Sequence, residues 1–158
     1  DGDNTIELTG GFNTVTAGDG VNTIDLVGGV NVASLGSGAD SVTASSGTNV
    51  MDVGDGANWV TLLAGANTVT AGDGVNRIDI QAGTNRVVLG DGGNTVELNN
   101  GINTVMAGAG ADSITAVSGS NFVDAGDGDN LVHLTSGVNT VVAGDGVRQE
   151  PEARRHPG

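Results

Sequence analysis

The 158-residue chain sets 19 acidic residues against five arginines, with no lysine and no cysteine, for a formal net charge of −14. That balance excludes attraction to nucleic acid or anionic lipid, and the missing cysteines exclude a disulfide framework, a thiolate metal site and a cysteine nucleophile. With 29 Gly but only two Phe and one Trp, the core must be thin and aliphatic, and the apolar runs are too short to span a membrane.

The chain repeats itself from its first residues. Gly2 is followed by Asn4, Ile6 and Leu8; Gly11 by Asn13, Val15 and Ala17; Gly20 by Asn22, Ile24 and Leu26. Glycine recurs every nine residues as far as Gly146, with Asn two places later at every repeat except at Asp40, Asp112 and Arg148. The two apolar positions lie two apart, which is strand spacing. Each unit therefore predicts a Gly/Asn turn followed by a short strand. Ile6, Leu8, Val15, Ala17 and their equivalents should be buried, and Thr5, Glu7, Thr14 and Thr16 should point outward, because a one-residue slip would bury a column of carboxylates.

A period of eighteen overlies the nine. Gly-Asp precedes the repeat glycine at Gly18-Asp19, Gly54-Asp55, Gly72-Asp73, Gly90-Asp91, Gly126-Asp127 and Gly144-Asp145, whereas the intervening turns open with pairs such as Leu63-Ala64 and Gln81-Ala82. Two units thus make one coil with two chemically different edges. Core volume alternates likewise, with Leu8, Leu26, Leu62, Ile80, Leu98 and Leu134 on one strand stack and Ala17, Ala71, Ala107, Ala125 and Ala143 mostly on the other. A period of seventy-two returns Gly36-Ser37-Gly38-Ala39-Asp40 as Gly108-Ala109-Gly110-Ala111-Asp112. The predicted fold is all-β: a parallel β-solenoid of about eight coils, about 38 Å long at strand spacing. Residues 147–158 hold both prolines and three of the five arginines, and read as a linker or disordered tail. The chain opens inside a repeat with no signal pattern, so the expectation is of a fragment of a longer protein.

Gly-x-Gly-x-Asp/Asn-Thr-Ile/Val at a period of nine resembles the RTX calcium-binding nonapeptide repeat, over essentially 1–146. The resemblance implies a β-roll with Ca2+ held between successive turns by an inward Asp and by backbone carbonyls. Only Asp40 and Asp112 match that Asp; elsewhere the position is Asn. In the Gly-Asp-Gly turns a carboxylate sits three residues earlier instead, at Asp19, Asp55, Asp73, Asp91 and Asp127, so each turn of that edge carries one carboxylate at one of two places. These seven aspartates are the candidate metal ligands. Against ligation stands a structural reading: Asn, Asp and Gly are turn residues, and a column of Asn would form an amide ladder with no metal.

No enzyme is expected, since a uniform solenoid offers flat faces rather than a pocket of convergent groups, and His133 stands alone at an outward strand position. The sequence reads as a secreted structural module that binds calcium and folds in response to it. The alternatives are a calcium-independent stalk or filament subunit held by Asn ladders, and a flat face for polysaccharide or ice. Because no capping element is recognisable in 1–146, end-to-end self-association is a further expectation.

Overall fold

In a computed structural model of the chain, residues 1–146 and the strand backbone of 148–149 are described. The nine-residue alternation of turn and strand folds as its period demands, into two stacks of parallel strands. The first stack contains β1 (Thr5–Thr9), the opening halves of β3 (Thr23–Ser34) and β4 (Ser41–Asp52), β5 (Trp59–Leu62), β7 (Arg77–Ile80), β9 (Thr95–Leu98), β11 (Ser113–Ala116) and β13 (Leu131–Leu134). The second contains β2 (Phe12–Thr16), the closing halves of β3 and β4, β6 (Ala66–Ala71), β8 (Thr84–Leu89), β10 (Ile102–Met106), β12 (Ser120–Asp124) and β14 (Val138–Val142). A short β15 (Arg148–Gln149) continues the first stack against β13. Among the described residues there is no helix.

Every pairing is parallel and joins residues one coil apart, as in Ile24↔Val42, Asn67↔Asn85 and Ile78↔Val96. The exceptions are instructive. At Val27↔Ser46 the register slips, in the two coils where strand conformation runs straight through the turn to make β3 and β4. At β15 the partner of Leu131 is Arg148, one residue short of a full coil, where Arg replaces the turn Asn. Strand pairing thus reaches two residues past 146; residues 147 and 150–158, which hold most of the predicted tail, lie outside the described residues.

The predicted register is the observed one. Val60, Leu62, Val69, Ile78, Ile80 and Val87 are all 0% exposed, and each such side chain contributes about 1.5–3 kcal/mol on burial. Ile6 and Leu8, in the first coil, are only half-buried. Glu7 is exposed, and Asp25, Asp79 and Glu97 are half-buried on the outward side. Volumes compensate within coils: Met51 shares a coil with Ala44, and Ala33 with Leu26.

Turns stack as closely as strands. Gly20 has φ +123°, and a Cβ there would lie 2.8 Å from the carbonyl carbon of Gly2 one coil below. Only glycine tolerates both the conformation and the approach.

Candidate metal centre

The turn preceding the second stack carries no carboxylate, and its Asn column needs none. From Asn13 to Asn139 each Nδ2 donates to the Oδ1 one coil on, in seven successive bonds of 2.7–2.9 Å. The other N–H of each amide closes its own turn by donating to the carbonyl three residues back, as Asn85 does to Ala82 at 3.1 Å. This edge is an amide ladder, saturated on both sides.

The Gly-Asp-Gly edge is built differently. Here Asn22 Nδ2 donates to the carbonyls of Gly18 and Gly20 at 3.1 and 3.3 Å, and Asn94 Nδ2 to those of Gly90 and Gly92 at 3.3 and 3.0 Å. The Oδ1 at this position accepts the backbone N–H of the coil below, as Asn94 Oδ1 does from Asn76 at 3.1 Å. Asp40 and Asp112 occupy the same column, 2% and 1% exposed. Asp40 Oδ1 accepts Asn22 N–H at 2.7 Å and Asn22 Nδ2 at 2.8 Å, and Asp112 Oδ1 accepts Asn94 N–H at 2.7 Å.

The second oxygen therefore stands where asparagine carries its NH2. It has no hydrogen to give the turn carbonyls, which by the spacing seen at Asn22 and Asn94 are those of Gly36 and Gly38 for Asp40 and of Gly108 and Gly110 for Asp112. Among the described residues, three side-chain oxygens are buried with no hydrogen-bond partner: Asp25 Oδ1 on the outer side of β3, and, in this column, Asp40 Oδ2 and Asp112 Oδ2. A buried acceptor with no donor is costly, and a proton or a hard cation relieves it. Burial pushes the Asp112 carboxyl above the usual aspartate range and the nearby Asp91 charge adds to this, against hydrogen bonds from Asn94 that lower it.

The five other candidate aspartates are placed differently. Asp19, Asp55, Asp73, Asp91 and Asp127 are exposed, and the Oδ1 of each accepts the backbone N–H one coil on: from Ser37, Asp73, Asp91, Ala109 and Asp145 at 2.8–3.3 Å. They cap turns at the surface, and of the five Asp91 lies near enough to Asp112 to act on its charge. Among the described residues no three His, Cys, Asp or Glu side chains cluster as a metal site. A cation at this edge would draw on fewer than three carboxylates together with backbone carbonyls, a donor set of hard oxygens that suits calcium. Sequence reasoning did not single out the four glycine carbonyls; their signal is that they lie four and two residues before each family-type Asp.

A chain that stacks Gly-rich turns every nine residues, with hard oxygens at the turns, is a parallel β-roll of calcium-binding type. Models of the RTX calcium-binding nonapeptide repeat match in overlapping copies over 1–33, 27–60, 52–87, 88–123, 97–132 and 115–147. The chain belongs to that family. No curated protein and no solved structure matches it.

Asp112 carries a pH dependence. A carboxyl whose folded pKa lies above its unfolded value adds stability that is whole below the unfolded value and is lost as pH rises through the raised one. In chelator, urea midpoints should therefore rise on acidification from neutral pH, and Asp112→Asn should flatten that rise. A slope identical in both proteins would contradict the burial of an ionised Asp112.

Proposed function

We propose that the chain is a structural module of an exported protein that binds calcium at two turns, centred on Asp40 and Asp112, and tightens its fold on doing so. The observation that carries this reading is the orphaned, buried Oδ2 of each aspartate in a column where asparagine elsewhere satisfies the turn. When bound, calcium supplies the positive charge that the carboxylate and the adjacent glycine carbonyls lack. Asp40 and Asp112 hold it, Asn22 and Asn94 fix each carboxylate through its other oxygen, and the turn glycines let the carbonyls converge.

The net charge of −14 opposes stacking in a calcium-poor compartment, and calcium outside the cell relieves the two most costly positions. The Asn ladder favours a limit to this dependence. Seven amide bonds hold the other edge without metal, so the module keeps much of its solenoid in chelator, as the calcium-independent reading requires of that edge alone.

Ligand binding to the folded state at a hundred times Kd adds about 2.7 kcal/mol per site. Two sites should raise the melting temperature by roughly 10–20 °C for a chain of this size. Circular dichroism melts in calcium, in magnesium and in chelator test this. A melting temperature indifferent to calcium would overturn the reading.

A further inference from the structure

The two faces of the solenoid differ in charge. The first stack turns Glu7, Asp25, Arg77, Asp79, Glu97 and His133 outward, whereas the second offers only Asp52, Arg86 and Asp124 over eight coils. The second face is also the more apolar, with Phe12, Val30, Val32, Val50, Ile102 and Val138 between 41% and 90% exposed.

The two arginines within the repeats are treated differently. On the first face Arg77 pairs with Glu97 at 2.9 Å and lies 5.7 Å from the Trp59 ring centroid. On the second face Arg86 has no carboxylate among the described residues, and its guanidinium reaches only Met106 Sδ at 3.8 Å. Two coils below it, Asp52 is exposed and spends Oδ1 on Gly54 N–H at 3.2 Å, leaving its other oxygen open. In a chain of net charge −14, a lone cation on the least charged face marks where a carboxylate from outside is expected.

We propose that this face is the interface of a lateral homodimer, its two-fold axis parallel to the strands and crossing β6, with Arg86 of each copy on Asp52 of the other. Such an axis reverses the order of coils and keeps position along the strand. β4 then faces β8, β3 faces β10, β2 faces β12, and β6 faces itself. The Arg86 stem lies over Val50 of the second copy, and its guanidinium reaches Asp52 two residues along the same strand. An axis along the solenoid would instead set Arg86 against Arg86.

Seven coils at about 4.8 Å and five-residue strands at about 3.3 Å per residue give a face of about 34 by 16 Å. The two copies together bury on the order of 1,100 Å2, enough for a specific if modest interface. A shallow depression along Thr48, Ala66 and Thr84, rimmed by Arg86 and Ile102, lies on the axis and offers hydroxyls for bridging water.

The test is sedimentation equilibrium of the full chain in calcium, with circular dichroism confirming that each variant folds. Arg86→Glu and Asp52→Arg should each weaken the dimer roughly tenfold or more, and the double exchange should restore it. Thr68→Cys, on the axis of a chain without cysteine, should be joined to its partner by a short bifunctional maleimide, since facing sheets lie about 10 Å apart. A monomer at every concentration, or a dimer indifferent to both charge changes, overturns the proposal. Rescue of Arg86→Glu by Asp124→Arg in place of Asp52→Arg overturns the axis at β6.

Discussion

Exchanging Asp40 and Asp112 together for asparagine is expected to abolish the calcium response and, in chelator, to raise the melting temperature. Both effects follow from one atom. Asparagine keeps the Oδ1 that accepts from Asn22 or Asn94, and it replaces the orphaned Oδ2 with an NH2 that can donate to its own turn carbonyls, Gly36 and Gly38 or Gly108 and Gly110, as Asn22 does to Gly18 and Gly20. A buried unpaired acceptor costs about 1–3 kcal/mol, more when charged, so the two exchanges together should stabilise the metal-free chain by roughly 2–6 kcal/mol. The same exchanges remove the only buried carboxylates in the column, and with them the charge on which calcium affinity depends. Calorimetric titration and melts in chelator read both halves. Calcium binding that survives in the double variant would move the sites to the exposed Asp19, Asp55, Asp73, Asp91 and Asp127.

Much of this architecture is legible in the sequence because a solenoid writes each coil in the same code. Gly, Asn and two alternating aliphatics recur at fixed spacing, so one register satisfies all coils or none, and burial of Ile24, Leu26, Val69 and Ala71 follows from position alone. The Asn columns are legible as ladder or ligand but not as which, because the two readings differ by the rotation of one amide. The structure separates the two edges: opposite the Gly-Asp-Gly turns the amides bond one another along the whole column, whereas in those turns they bond mainly their own turn carbonyls, with amide-to-amide bonds only at Asn4 to Asn22 and Asn76 to Asn94 among the described residues.

The outward side chains are less legible, because nothing periodic constrains them. Nothing in the repeat spacing marks Trp59 and Arg77 as partners, yet they are neighbours in adjacent strands, joined by the pairing Trp59↔Arg77. Arg86 gives no sign in sequence of lacking the partner that Arg77 finds in Glu97. The continuity of β3 and β4 through their turns is likewise unannounced. Their turn residues Val27-Gly28-Gly29 and Ser45-Ser46-Gly47 differ little from those of coils where the strand breaks, and the outcome rests on a register slip at Val27↔Ser46.

The ladder edge carries the largest single-residue sensitivity, and Asn85→Leu measures it. Asn85 is 3% exposed at the middle of the column. Its Oδ1 accepts from Asn67 at 2.8 Å, and its Nδ2 donates to Asn103 at 2.9 Å and to the Ala82 carbonyl at 3.1 Å. Leucine has the same branched outline, is somewhat larger and carries none of these atoms, so the change removes three bonds while leaving one donor and two acceptors buried. At about 1–3 kcal/mol for each of the three stranded groups, the loss should be roughly 3–9 kcal/mol, enough to rival the whole margin of a small domain. The same substitution at Asn139 should cost far less. It is half-buried and ends the ladder, accepting from Asn121 while donating only to the Ser136 carbonyl. Because coils contact only their neighbours, the damage at Asn85 should also split the melt, separating the coils before it from those after it. Equal midpoints for Asn85→Leu and Asn139→Leu in urea would mean that the amide column follows the stacking of strands and does not hold it.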